Sequence, residues 1–399
     1  MQKLRLLFRH PEFMVLLAGN LVLGLAFSLV LPFASLYGTR ALRLSPMGFA
    51  LFMTANAVAG FFLTTRLAGW SDTRFARKDV LLAASAAGIA NYVAYAYIWD
   101  PWILLPISCL LLGVASIAFA QTFALARDLL ARRGAADSDI PFYINVFRLC
   151  YALSWTVGPA LGARLLARWS FRGTYLGAAA LMALFGLIIA FGQERLPPTE
   201  KAKAAAASLP LSRAFRLPGF FAHFLAMSLI LSCSTMGMMN LPLLIHRDLG
   251  GSDADVGTAY SLAPFFELPF MYYVGALASR IPAARILRWA ALLAVVYYAG
   301  LAATRAPWQV LPLQVLSAAM VAVSSGLAIT FFQDFLPGQA GTATNVYSNA
   351  ARVGGLAGYL LFGVLGTAAG HRSVFWVCAA CSALAWGIMH RWRPERMRS

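Results

Sequence analysis

The sequence predicts an all-α membrane protein of twelve transmembrane helices in two six-helix bundles, with both termini in the cytoplasm. Three observations predict it. The 399-residue chain is 60% hydrophobic and 12% charged, about half the charged fraction of a soluble domain, and a soluble core of this length could not bury so much apolar sequence. The apolar residues fall into twelve runs, each near the ~20 residues a bilayer demands. A polar pattern inside those runs occurs once in each half of the chain.

The basic start (Lys3, Arg5, Arg9) is followed by a first run, about 13–37, that is too long for a signal-peptide core and shows no small-residue cleavage site, so it reads as an uncleaved helix. Further runs follow at about 46–69, 79–99, 102–126, 140–167, 172–192, 218–245, 255–279, 285–304, 308–335, 341–369 and 373–391. The longest connection, Glu194 to Leu217, carries Pro197-Pro198, an alanine run and basic residues. It marks a linker at 194–217 between bundles at 1–193 and 218–399, with a short surface helix expected over Leu209 to Leu217.

Basic residues give the orientation. Arg66, Arg74, Arg77 and Lys78, Arg127 to Arg133, the linker, Arg280 to Arg288 and the C-terminal arginines all fall on the side of the N-terminus. The other side holds Arg40, Arg43, Arg164, Arg168, Arg172, Arg247, Arg305 and Arg372. The bias puts both termini in the cytoplasm. It also accounts for much of the net charge of +17 without nucleic acid, since no soluble domain carries a basic-aromatic cluster. The five cysteines all lie in apolar runs, and Cys378-x-x-Cys381 lacks a second ligand pair, so they read as small buried residues; no metal or cofactor is expected.

The recurring pattern is clearest between Phe331 and Gly355. A polar turn, Pro337 to Gly341, joins two runs, and Asn345, Asn349 and Arg352 then fall at helical offsets of four and three. In the first half Gln121 closes a run, a charged turn follows, and Asn145 and Arg148 lie three apart in the next. An arginine inside an apolar helix should face protein or a water-filled cavity. Tyr151 and Trp155 lie on or near the first arginine face, where rings able to stack on a sugar and lipid-facing rings look alike. Asn20, Asn240 and Gln314, each alone in an apolar run, read either as interhelical hydrogen bonds or as substrate contacts. Glu267, between Pro264 and Pro269, is the acid in the middle of a run, and Tyr260 shares its face. A carboxylate there must be protonated, paired, or both in alternation, which suits proton coupling; a static ion pair with Arg148 or Arg352 is the competing reading.

After the second run, Ala68-Gly69-Trp70-Ser71-Asp72 precedes Arg74 and Arg77. Small residues let helix ends approach, and Asp72 with Arg77 can hold the cytoplasmic side shut. This stretch resembles the signature loop of the major facilitator superfamily, although Ala68 replaces the usual glycine and Ser279 stands at the acid's place in the second half. Gly158-Pro159-Ala160-Leu161-Gly162 resembles that superfamily's antiporter motif, with Pro159 kinking the helix and Gly158 allowing close packing.

Phe332-Gln333-Asp334-Phe335-Leu336-Pro337-Gly338-Gln339-Ala340-Gly341, then Tyr347-x-Asn349 and Ala351-Arg352-Val353-Gly354, resemble the sugar efflux transporter family of that superfamily. So do Glu267-Leu268-Pro269-Phe270-Met271, Phe123 to Asp128 and Leu153 to Pro159, in matching order along essentially the whole chain. The resemblance implies a proton-driven exporter of sugars or small glycosides in a bacterial inner membrane, expected to be monomeric, with Asp334 among the gating residues. The alternatives are a multidrug/proton antiporter and a transport-inactive sensor on the same fold. Five scattered histidines and no paired acids argue against an enzyme.

Overall fold

The computed structural model describes residues 11–73, 75–133, 139–194, 219–336 and 339–392. The expected linker and its surface helix, the turn at Pro337-Gly338 and the side chain of Asp72 lie outside the described residues. No strand occurs among the described residues. The helices are α1 (Pro11–Val30), continued by Leu31–Phe33, Ala34–Leu36 and a π-turn at Tyr37–Ala41; α2 (Pro46–Thr73); α3 (Arg77–Tyr97); α4 (Pro101–Ala115); α5 (Ile117–Arg132); and α6 (Ile140–Gly192). They continue with α7 (Phe220–Leu243), extended by a π-turn at Leu244–Asp248, then α8 (Asp253–Ala278), α9 (Ala283–Ala303), α10 (Val310–Phe335), α11 (Ala340–Ala368) and α12 (Gly370–Arg391).

Ten stretches among the described residues are long and apolar enough to cross a membrane. The difference from twelve runs has two sources. The runs at 140–167 and 172–192 are the two legs of α6, two helices that meet without a loop at a kink where Trp169 (φ −131°, ψ 19°) and Ser170 (φ 54°, ψ −169°) are non-helical, so they count as one continuous stretch. The run at 255–279 is α8, which carries Asp253, Asp255 and Glu267 and is not among the ten.

The described residues fall into two compact units, drawn from Met1–Pro32 with Ala55–Ala204 and from Phe33–Thr54 with Ala205–Ser399. In this division residues 33–54 group with the second unit. Arg40 pairs with Asp253 at 3.0 Å, the Met47 amide donates to Thr367 Oγ1 at 3.2 Å, and Gly363 lies so close that a Cβ there would come 3.1 Å from Met47 Cα.

In the first unit α1 packs along the first leg of α6 through small residues. A Cβ at Gly24 would fall 2.9 Å from Ser154 Cβ, and one at Gly158 would fall 2.8 Å from Ser28 Cβ. Gly24 and Ser28 are one turn apart, as are Ser154 and Gly158, so glycine meets serine twice along the crossing. Ser28 Oγ then donates to the Ser154 carbonyl at 3.0 Å. Pro159, buried just beyond, adds the kink-prone position.

Polar contacts fix which helix ends lie together. Glu12 pairs with Arg133, Gln193 Nε2 donates to the Glu12 carbonyl at 2.9 Å, and Lys78 Nζ donates to Ala190 and Gln193 carbonyls at 2.6 Å. The start of α1, the start of α3, the end of α5 and the end of α6 therefore share one end of the unit. At the other end, the Arg172 guanidinium lies 5.0 Å from the Tyr97 ring centroid, which brings the α6 break beside the end of α3.

The second unit repeats the small-residue device. A Cβ at Gly354 would come 2.9 Å from Leu231 Cβ, and one at Gly358 would come 2.7 Å from the Ser232 carbonyl, so α11 lies close against α7. Val346 and Ala350 on α11, with Phe220 and Met227 on α7, belong to a buried cluster that also includes Phe331 and Phe332 of α10. Ser252 and Asp255 form a reciprocal cap at the start of α8, with Asp255 N donating to Ser252 Oγ at 3.2 Å and Ser252 N donating to Asp255 Oδ2 at 2.7 Å.

Candidate functional site

Each unit carries one helix with a packed edge and a polar edge. On α6, Phe147, Ser154 and Gly158 are buried, and Ser154 and Gly158 lie against α1. Asn145 is exposed, and Arg148, Tyr151 and Trp155 are half-buried on the remaining surface. Tyr151 packs edge-on against Phe119 of α5, ring centroids 4.8 Å apart. On α11, Val346, Ala350, Gly354 and Gly358 are buried, whereas Asn345 and Arg352 are exposed and Asn349 is half-buried. Arg352 Nη1 reaches Asn349 Oδ1 at 3.5 Å. In both helices the residue six places past the arginine is a point of close approach to a neighbouring helix, Ser154 to α1 and Gly358 to α7. The arginine pattern thus occupies the same position on both frameworks, at the edge that helix packing leaves open.

The lone amides have other partners. Asn20 Nδ2 donates to the Phe147 carbonyl at 2.7 Å, tying α1 to α6 next to Arg148. Asn240 Nδ2 donates to the His371 carbonyl at 2.7 Å, and Asn240 Oδ1 lies 3.1 Å from His371 Nδ1, tying α7 to α12. Asn20 and Asn240 are fully buried. Gln314 is buried and donates from Nε2 to the Val310 carbonyl of its own helix at 3.3 Å. These bonds favour the interhelical reading for Asn20 and Asn240 over substrate contact.

Gln121 is likewise buried, and its Oε1 accepts from Arg77 Nη1 at 2.8 Å. The same guanidinium donates from Nε to Asp128 Oδ2 at 2.7 Å. Arg77 therefore engages α5. In the sequence, only the stretch Phe123 to Asp128 points to Asp128.

Glu267 is half-buried on α8, between the in-helix prolines Pro264 and Pro269. Tyr260, two turns earlier, donates its hydroxyl to the Met238 carbonyl at 2.6 Å, which holds the first half of α8 against α7. Two prolines remove two backbone donors, so the helix on either side of Glu267 is the least constrained part of α8. Asp334 is exposed near the end of α10, beside Phe335, whose ring lies 5.0 Å from that of His223. Each unit thus carries an amide and a guanidinium on the open edge of one helix, and α8 of the second unit carries an ionisable acid between two prolines.

Comparisons with known proteins agree with this picture. The family described as Major Facilitator Superfamily matches residues 16–358 and 238–399. A Deinococcus radiodurans protein named "Putative sugar efflux transporter" is 35% identical over 97% of this chain and 99% of its own length. A Dickeya chrysanthemi protein named "Sugar efflux transporter A" is 31% identical over 93% of this chain and 92% of its own. Among solved structures, a POT family transporter in complex with 5-aminolevulinic acid superposes with TM-score 0.79 at 13% identity, covering 96% of each chain. That likeness shows the fold.

Proposed function

The chain belongs to the sugar efflux transporter family of the major facilitator superfamily, and from that premise we propose that it exports sugars or small glycosides across the inner membrane in exchange for protons. The observation that carries the reading is the paired polar edge, Asn145–Arg148 on α6 and Asn349–Arg352 on α11, set at matching positions on two similar frameworks. Amides and guanidinia supply the hydrogen bonds that a sugar loses with its water. A pocket for amphipathic drugs would gain more from apolar lining.

In the proposed cycle the two bundles, divided at the 194–217 linker, rock so that the polar edges open to alternate sides of the membrane. Sugar binds from the cytoplasm to Arg148, Arg352, Asn145 and Asn349, with Tyr151 and Trp155 offering ring faces. Glu267 releases its proton inward and regains one from outside, so sugar and proton exclude each other. Arg148 is the first choice to stabilise the ionised acid. Asp72 and Arg77 hold the cytoplasmic side shut, with Arg77 fixed in place by Asp128 and Gln121. Both termini lie in the cytoplasm, a reading supported by the basic-residue bias and by the shared end of α1, α3, α5 and α6.

The test is counterflow of a labelled sugar panel into proteoliposomes. At least one neutral sugar or glycoside should accumulate transiently when vesicles are preloaded with its unlabelled form. If no sugar does so while an amphipathic cation does, the multidrug reading replaces this one.

A further inference from the structure

Around the break in α6 stand three arginines that neither the fold nor the proposed transport cycle uses. Arg164, Arg168 and Arg172 are all exposed, Arg164 and Arg168 one turn apart before the break and Arg172 just after it. The Arg168 guanidinium lies 5.3 Å from the Trp169 ring centroid, and that of Arg172 lies 5.0 Å from the Tyr97 ring centroid. Both rings are 57% exposed, and Trp99 and Trp102 lie close by in the chain, with Trp102 81% exposed. Among the described residues no carboxylate pairs with any of the three arginines. The acid at this turn, Asp100, is occupied as the cap of α4, accepting from the Trp102 amide at 2.8 Å.

Aromatic rings at the end of a membrane helix settle at headgroup depth. A guanidinium held on a ring face keeps its N–H fork turned outward, and that fork matches two oxygens of a phosphate. The cluster stands at the end of its unit opposite Glu12, where the basic-residue bias works against arginine. Topology therefore does not explain it, whereas charge complementarity to a phosphodiester does.

We infer that Arg164, Arg168 and Arg172, braced by Trp169 and Tyr97, form a binding site for the headgroup of an anionic phospholipid, of the phosphatidylglycerol or cardiolipin class, in the leaflet at the α6 break. The bound headgroup bridges the two legs of α6 at their non-helical junction and fastens that junction to the end of α3. This goes beyond the transport reading and does not depend on which solute is moved.

The experiment uses the full chain in nanodiscs. A photoactivatable phosphatidylglycerol analogue should label wild-type peptides spanning 97–102 or 164–172; labelling confined to other segments overturns the site. Replacing part of a phosphatidylcholine bilayer by phosphatidylglycerol should raise the wild-type melting temperature and leave that of Arg164→Gln/Arg168→Gln/Arg172→Gln unmoved. Retention of anionic lipid by the triple variant in native mass spectrometry should fall by roughly a hundredfold, since each of the three near-surface arginines contributes about fivefold. Equal thermal rises or equal retention in both proteins overturns the proposal. Inorganic phosphate at matched phosphorus content should give no rise; if it reproduces the full effect, the site binds a free anion and not a lipid. The photolabelling arm needs no variant, so a folding defect in the triple variant leaves the test intact.

Discussion

Arg77 and Asp128 are joined at 2.7 Å, and the same guanidinium reaches Gln121 at 2.8 Å. Gln121 and Asp128 are two turns apart on α5, so one side chain at the start of α3 grips two successive levels of its neighbour. The side chains of Arg77 and Asp128 are 14% and 26% exposed, so water screens the pair only in part. Asp128→Asn should lower stability by about 1–2 kcal/mol and the detergent melting temperature by a few degrees. Exchange of the two residues, Arg77→Asp with Asp128→Arg, should recover part of the loss. A wild-type melting temperature together with wild-type transport in Asp128→Asn would remove this pair from the closing apparatus.

That contact also shows where the sequence stops being readable. Hydropathy was enough to find the apolar runs, because a membrane crossing is a long one-dimensional signal, but not where a run divides: the run at 102–126 is α4 and α5, parted at Ser116. The two-helix nature of α6 was legible from its charged centre, Arg164 to Arg172, even though the backbone break there is only two residues wide. Which partner Arg77 takes was not legible. Asp72 was nearer in sequence, and nothing one-dimensional favours Asp128, which lies beyond all of α3 and α4 near the end of α5. The same holds for Asn20 and Asn240: an amide in an apolar run looks identical whether it joins helices or meets a solute, and nothing in the sequence points to the carbonyls of Phe147 and His371 as their partners. The Asn/Arg edges were visible because two copies of one pattern are far less probable than one.

The glycine–serine crossing of α1 and α6 predicts a rescue. Gly158→Ala would place a Cβ 2.8 Å from Ser28 Cβ and 3.2 Å from its backbone carbonyl carbon, where a side-chain rotation cannot make room. Overpacking of this kind costs about 1–3 kcal/mol. Ser28→Gly removes the obstructing side chain, so Gly158→Ala/Ser28→Gly should melt closer to wild type than Gly158→Ala alone. A double variant no better than the single one would mean that Gly158 acts through helix flexibility and not through contact with Ser28.

Asn240 and His371 separate a structural amide from a binding one. Asn240→Ala leaves the His371 carbonyl and ring without their buried partner, a loss of about 1–3 kcal/mol. The melting temperature should fall while sugar affinity of the folded fraction stays at the wild-type value. Asn349→Ala should do the opposite, weakening sugar binding with little thermal change, because Asn349 lies at the open edge of α11. An Asn240→Ala protein of normal stability and weakened binding would return Asn240 to the substrate site.

Glu267 carries the coupling prediction. It lies near the middle of α8, roughly 21 Å from its start and roughly 16 Å from its end at 1.5 Å per residue. A carboxylate at that depth is unfavourable by a few kcal/mol when ionised and unaided, so its charge must be neutralised by a proton or balanced by a cation. A fixed partner would hold it in one state, and the acid would then serve packing alone. An alternating partner makes proton uptake depend on which way the bundles face, which is the requirement for exchange. Glu267→Gln keeps the shape and hydrogen bonding of the protonated acid but cannot ionise. Sugar binding and sugar–sugar exchange should survive in this variant, while accumulation driven by an imposed pH gradient should disappear. Vesicles carrying Glu267→Gln that still concentrate sugar under a pH gradient would assign proton coupling elsewhere and leave Glu267 as one half of a static ion pair.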